Sequence, residues 1–390
     1  MKQGWEYKKL GEVCEVVTGT TPRTNIPEYW GKGHYWVTPA ELTDTTVYVD
    51  KTERQITDEA LDKTKLRLLP IGTVLLSSRA PIGKVAITNI EMYCNQGFKN
   101  CICSDSINNK YLFYFLRLKK DFLNSLGRGA TFKEISKSIV ENIKLPLPPK
   151  STQLAIVSEL DKINELIRLK KEQLKDFDNL AQSIFYEMFG DPVENEMGWE
   201  VNQLKDISTI TSGYAFPSND FSEDNPIKVV KITNVGVNEF VTDVSSLPLS
   251  YSSKESFKVK CGDIVIALTR TIISNGVKRA LVPQSYDGAL LNQRVAAIAV
   301  MHSCIAKNYI YQLLGTSFVK QYIESHATAL NQPNLSITDL KRMPIPLPPL
   351  PLQHLFAQRI EQIEHQKAEV QKAITDLETL LASRMQYWFE

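Results

Sequence analysis

The 390-residue sequence predicts a mixed α/β (α+β) protein in which two strand-rich domains alternate with two long helices, built as an internal repeat. Three observations predict it. The chain repeats itself at an offset near 200, an apolar seam of helical period follows each Pro-rich junction, and the stretches between are short β-branched and aromatic runs broken by Gly, Pro and Asn. A composition of 43% hydrophobic and 23% charged residues supplies a core for two or three domains and excludes collagenous or disordered classes.

The repeat sets the boundaries. Gly4-Trp5-Glu6 with Leu10 returns as Gly198-Trp199-Glu200 with Leu204, and Thr18-Gly19 returns as Ser212-Gly213. Asn95-Gln96 returns as Asn292-Gln293, and Leu145-Pro146-Leu147-Pro148-Pro149 with Gln153 returns as Ile345-Pro346-Leu347-Pro348-Pro349 with Gln353. The predicted segments are therefore 1–150, a long helix over 151–190, 191–350, and a second long helix over 351–390.

Each helix reads as a heptad seam. Ile156, Leu160, Ile163, Ile167, Leu174, Phe177, Ala181, Ile184 and Met188 alternate steps of four and three, apart from a polar Lys170. Phe356, Ile360, Ile363, Val370, Ile374, Leu377, Leu381 and Trp388 repeat the phase, interrupted by Lys367 and Arg384. Pro148-Pro149 and Pro348-Pro349 cannot lie in helix interiors and mark sharp starts. At 1.5 Å per residue each helix spans about 55–60 Å, and two equal seams predict an antiparallel coiled-coil pair.

Within the strand-rich domains a hairpin recurs. Residues 72–78 read as a strand, 79–83 as a turn and 84–87 as the return; 262–267 and 277–282 repeat the pattern around Thr269, Arg270, Asn275 and Gly276. Each tip carries an Arg and each return strand a Lys.

Several chemistries are excluded. There is no Walker P-loop, no dinucleotide-binding glycine fingerprint, no adenine-methyltransferase Pro-Pro-aromatic motif, no nuclease acid-acid-lysine pattern and no nucleophile elbow. The five His and six Cys have no zinc-ligand spacing, so no metal is expected, and the thiols read as reduced and mostly buried. The N-terminus lacks an apolar signal core and Val295 to Met301 is far too short to span a bilayer, which predicts a cytoplasmic protein. Net charge is +1, but residues 1–150 hold 22 Lys+Arg against 16 Asp+Glu.

The duplicated G-W…L frame, the L-P-L-P-P…Q junctions, the long helices and Phe189-Gly190-Asp191-Pro192 resemble the specificity subunits of type I restriction-modification systems. The first strand-rich domain resembles one of their target recognition domains through Thr18-Gly19-Thr20-Thr21-Pro22, Glu28-Tyr29-Trp30, Ser77-Ser78-Arg79-Ala80-Pro81-Ile82-Gly83-Lys84 and Asn95-Gln96-Gly97-Phe98-Lys99. The second keeps Ser212-Gly213-Tyr214-Ala215-Phe216 and Asn292-Gln293-Arg294-Val295 but lacks the E-Y-W and S-S-R-A-P-I-G-K stretches, so its target should differ.

The resemblance implies a non-catalytic subunit that reads double-stranded DNA beside two modification subunits and the restriction/translocase subunits. It implies that S-adenosylmethionine, ATP and Mg belong to those partners and that this chain binds no cofactor. Two half-sites, about one helical turn of 10 bp apart, would form a split asymmetric target. A BcgI-like system, a self-contained nucleic-acid enzyme and a coiled-coil adaptor stand as alternatives.

For base readout the side chains must offer bidentate geometry to base edges or polar reach into a groove. The candidates in domain one are Thr20, Thr21, Arg23, Arg79, Lys84, Asn95, Gln96, Lys99, Arg128, Thr131 and Lys133. In domain two they are Thr269, Arg270, Lys278, Asn292, Gln293, Arg294, Asn331 and Gln332. Tyr29, Trp30 and Trp36 read as core rather than base-stacking residues. Leu166, Leu169, Leu180, Phe185, Phe189, Leu355 and Leu380 fall off the seam and are expected to stay partly exposed as a partner surface.

Overall fold

The computed structural model describes residues 4–79, 81–127, 133–242, 245–273, 276–300, 305–326 and 334–390. It divides into two compact units, Met1–Lys171 with Lys372–Glu390, and Glu172–Gln371. Each unit therefore holds one strand-rich domain together with half of each long helix, whereas the sequence reading set the helices apart as segments of their own. No described helix is long and apolar enough to cross a membrane.

In the first unit the repeat's two ends zip together. Strand Glu6–Lys9 pairs antiparallel with Lys144–Leu147, placing Glu6 opposite Leu147 and Tyr7 opposite Pro146. The second unit repeats this with Glu200–Gln203 on Pro344–Leu347, Glu200 opposite Leu347. Two-stranded ribbons tolerate the prolines because each strand has one edge that needs no N–H donor. The junction Gln then locks strand to helix. Gln153 is fully buried, accepting from the Asn108 amide at 2.8 Å and donating to the Pro148 carbonyl at 2.9 Å. Gln353 does the same with Ala306 N at 2.8 Å and Pro348 O at 2.7 Å. Beside each, a buried Tyr hydroxyl, Tyr111 or Tyr309, donates to the carbonyl of Pro146 or Pro346 at 2.7 Å.

The larger sheets of the two units also correspond. The first unit has a five-stranded sheet containing the predicted hairpin, Val74–Leu76 on Val85–Thr88, with Leu76 opposite Val85. The second has a four-stranded sheet in which Ile264–Ala267 pairs with Arg279–Leu281, Ile266 opposite Arg279. Each domain also holds a three-stranded sheet, and the second a further two-stranded one, Ile272–Ile273 on Gly276–Val277.

The long helices run Lys150–Phe189 and Leu350–Phe389. Inside the first unit their order is antiparallel, because Glu159 meets Arg384 and Trp388 while Lys171 meets Glu378 at 2.8 Å. Inside the second, Asp178 pairs with Lys367 at 2.9 Å and Phe185 and Phe189 pack on Phe356. Two of the polar seam interruptions, Lys367 and Arg384, thus carry the charge pairs that fix register. Seam residues such as Leu160, Ile163, Ile360 and Ile374 are buried.

Phe185 and Phe189 correct the sequence reading. Expected on the exposed surface, they are 0% and 3% exposed, in an aromatic cluster with Tyr309 and Phe356. Their equivalents Met385 and Phe389 are buried in the first unit's core, Phe389 lying 5.1 Å from the Tyr111 ring. At these ends the helix packs on its domain as well as on the other helix, so the buried stripe is wider than one seam. Leu166, Leu169, Leu180, Leu355 and Leu380 remain exposed at 45–47%. Of the cysteines, Cys14, Cys94 and Cys101 are buried, Cys103 is half-buried and Cys261 is exposed; Cys304 lies outside the described residues.

Candidate nucleic-acid interface

In the first unit four separated segments converge. A Cβ on Gly19 would lie 2.0 Å from the Asn95 carbonyl oxygen, so only glycine lets the first loop seat on the Asn-Gln turn. Seated there, Thr20 N donates to Cys94 O at 2.9 Å and Thr21 bonds through its hydroxyl to the Gln96 side chain. The turn shapes itself through Asn95 Oδ1, which accepts from Gly97 N at 2.9 Å. Gly97 O takes the Ser78 amide at 2.7 Å, and Ser78 O takes that of Ile135 at 3.0 Å, bringing in the hairpin and the 133–135 segment.

Charge follows the same geometry. Glu134 receives Arg79 at 2.9 Å and Lys99 at 3.0 Å. Burial pushes its carboxyl up, yet Lys99 and Arg79 together hold it below the usual carboxylate range. Arg23, Arg79, Gln96 and Lys133 are exposed, and Thr20 and Thr21 half-buried beside them. Trp36 is buried against Trp30, and Arg54, which the sequence reading missed, lies 3.9 Å over the Trp30 ring.

The second unit repeats the frame. A Cβ on Gly213 would lie 1.9 Å from Asn292 O, and Tyr214 N donates to Leu291 O while Gln293 N donates to Tyr214 O at 2.8 Å. Leu335 N reaches Leu268 O at 2.9 Å, as Ile135 reaches Ser78 in the first unit. Where the first unit has Glu134, the second has Asn334, whose Oδ1 accepts from Arg270 N at 3.2 Å. Gln293, Arg294 and Arg270 are exposed, Thr269 and Asn292 half-buried. Arg270 and Arg294 take left-handed backbone conformations at φ +48° and +71°, unusual for a long side chain and a source of local strain.

Three lysines correct the sequence reading. Lys84 is turned inward, its ammonium bonding the carbonyls of Leu42 and, at 3.2 Å, Pro39. Lys278 does the same toward Ile232 O at 3.1 Å, and burial, with Arg270 adding to it, pushes its pKa down. Lys99 is 5% exposed and held by Ser78 and Glu134. Ammoniums committed to internal acceptors serve the frame and are not presented to a duplex. Arg128, Thr131, Asn331 and Gln332 lie outside the described residues. Among the described residues no group of three or more His, Cys, Asp or Glu is placed to hold a metal ion.

Comparison with known proteins agrees with this duplicated frame. A family model described as the type I restriction modification DNA specificity domain matches twice, over residues 2–176 and 196–379. The chain is 29% identical to the type I restriction enzyme MjaIX specificity subunit of Methanocaldococcus jannaschii, over 96% of this chain and 90% of that one. It is 30% identical to the EcoR124I/EcoR124II specificity subunit of Escherichia coli over 41% of each chain. A solved chain from work on complex assembly and conformational transition of the type I R-M system shares the fold, with a TM-score of 0.60, 20% identity and coverage of 99% of this chain and 97% of that one.

Proposed function

Because the chain belongs to the type I restriction-modification DNA specificity family, we propose that each of its units reads one half of a split, asymmetric DNA target while the exposed helix leucines dock methyltransferase subunits. The observation that carries this is the convergence, in both units, of the Gly-seated loop, the Asn-Gln turn and the hairpin tip into one polar surface. The proposed readers are the exposed Arg23, Arg79, Gln96 and Lys133 with the half-buried Thr20 and Thr21 beside them in the first unit, and the exposed Arg270, Gln293 and Arg294 with the half-buried Thr269 in the second. S-adenosylmethionine, ATP and Mg would belong to partner subunits, as would restriction and translocation.

Arg79→Ala tests the hairpin. A base-reading Arg should cost about 1–3 kcal/mol of specific binding and relax one target position, whereas loss of a phosphate contact would weaken all sequences alike. Unchanged affinity and unchanged preference would remove the hairpin from the interface. The pairing with Glu134 gives a companion variant: Glu134→Gln, by releasing Arg79, should raise affinity for any duplex without relaxing the target.

The chain alone should bind DNA weakly. Residues 191–350 carry 14 basic against 15 acidic residues, too few cations for many phosphate contacts, so subunits that wrap the duplex must supply the rest. Leu166, Leu169 and Leu180 on one helix, with Leu355 and Leu380 on the other, offer the docking surface. Mass measurement of the co-purified complex should show two methyltransferase subunits per chain, and methylome sequencing of cells carrying it should show a split motif. Nanomolar binding of a split target by the isolated monomer would overturn the partner requirement.

A further inference from the structure

The second unit contains a cavity of about 590 Å³ that nothing above uses. Its wall includes Lys175, Gln182, Asn238, Arg279 and Gln312. A cavity of that size falls in the range of small-molecule sites. Arg279 is 4% exposed, stacks 4.8 Å over the Tyr311 ring and donates through Nε to Tyr311 O at 2.7 Å. It has no carboxylate partner among the described residues; the carboxylate on the cavity wall, Asp178, is committed to Lys367 at 2.9 Å. Burial pushes the guanidinium's pKa down, against the opposing fields of Tyr311 and the Asp178 carboxylate. A buried guanidinium with one neutral acceptor is costly, because a charge removed from water needs a counter-charge or a full set of hydrogen bonds.

The first unit shows what such a guanidinium takes. Phe113 and Tyr311 are equivalent, each two residues beyond the Tyr that bonds Pro146 or Pro346. Over Phe113, at 5.6 Å, lies the guanidinium of Arg117, which donates to the Asp44 carbonyl and lies in the field of that residue's carboxylate. In the place of Arg117 the second unit has Gly315, where a Cβ would lie 2.1 Å from an Arg279 terminal nitrogen. The guanidinium thus returns to the same ring from a strand instead of a helix, and in both units the carboxylate in whose field it lies is itself bonded to a lysine, Asp44 to Lys120 at 2.7 Å and Asp178 to Lys367 at 2.9 Å.

We propose that this cavity is a binding site for a small oxyanion, a phosphate or carboxylate, with Arg279 as its principal ligand and Lys175 at its wall. A fork of N–H donors suits either anion, and Lys175 adds charge that a structural Arg would not need.

The test is thermal unfolding of the full chain with increasing inorganic phosphate, and in a parallel arm acetate, at ionic strength held constant with chloride. Saturable stabilisation is expected, with the midpoint of the second unit rising by about 2–4 °C at five times the dissociation constant. Saturation by phosphate alone or by acetate alone assigns the anion class; saturation by both assigns the shared chemistry. Arg279→Met should abolish the effect, and Lys175→Glu should weaken it at least tenfold. If Arg279→Met does not fold, Lys175→Glu decides. No saturable response to either anion, or a response undiminished in the variants, overturns the site.

Discussion

Phe185→Ala is expected to destabilise the second unit by about 3–5 kcal/mol, the cost of truncating a fully buried aromatic that the surrounding core cannot collapse around. Phe185 is stacked at 5.5 Å on Tyr309 and meets Phe189 at 5.1 Å, Phe356 at 5.8 Å and Tyr186 at 5.8 Å, so truncation loses four ring contacts and leaves a void between helix and domain. Leu180→Ala, five residues earlier on the same helix but exposed, should stay within about 0.5 kcal/mol. Denaturant unfolding of both variants measures the difference. Equal costs would mean that Phe185 faces outward as the seam alone suggests.

The helix ends show how far the sequence carried. A heptad seam marks which residues face another helix, and here it correctly picked Leu160, Ile163, Ile360 and Ile374. Phe185 and Phe189 follow seam positions Ile184 and Met188 by one residue, about 100° round the helix, and the domain carrying Tyr309 together with Phe356 of the other helix buries that face. A signal was present in the repeat itself: the same two places in the second copy are Met385 and Phe389, apolar again.

The same reasoning separates frame from readout. Lys84 and Lys278 recur, and both cap carbonyls of a preceding turn; Gln153 and Gln353 recur, and both tie strand to helix. Residues that must read two different half-sites should differ between the copies in identity or in partner. Arg79 and Arg270, Glu134 and Asn334, Gln96 and Gln293 stand in comparable places with different partners. Which lysines turn inward was not legible, because a four-carbon stem reaches acceptors 21 to 46 residues away in sequence.

Gly213→Ala is expected to cost about 3 kcal/mol and to erase discrimination of one half of the target while leaving the other intact. The reason is space, not backbone conformation: the added methyl would stand 1.9 Å from Asn292 O and 2.3 Å from its carbonyl carbon, and neither is a flexible side chain that can yield. The turn carrying Asn292, Gln293 and Arg294 must then move away from the loop that follows Gly213, breaking the bond from Gln293 N to Tyr214 O. Gly19→Ala should do the same to the first half through Asn95, at 2.0 Å. Gly31→Ala is the control, since the nearest atom to its added methyl is a Thr57 methyl at 3.7 Å, an ordinary contact. Methylome sequencing of cells carrying each variant complex reads the outcome directly: a motif degenerate in one half for Gly213→Ala, in the other half for Gly19→Ala, and unchanged for Gly31→Ala. An intact motif in both glycine variants would mean that the Asn-Gln turn is scaffold and that base readout lies on the hairpin and first loop alone.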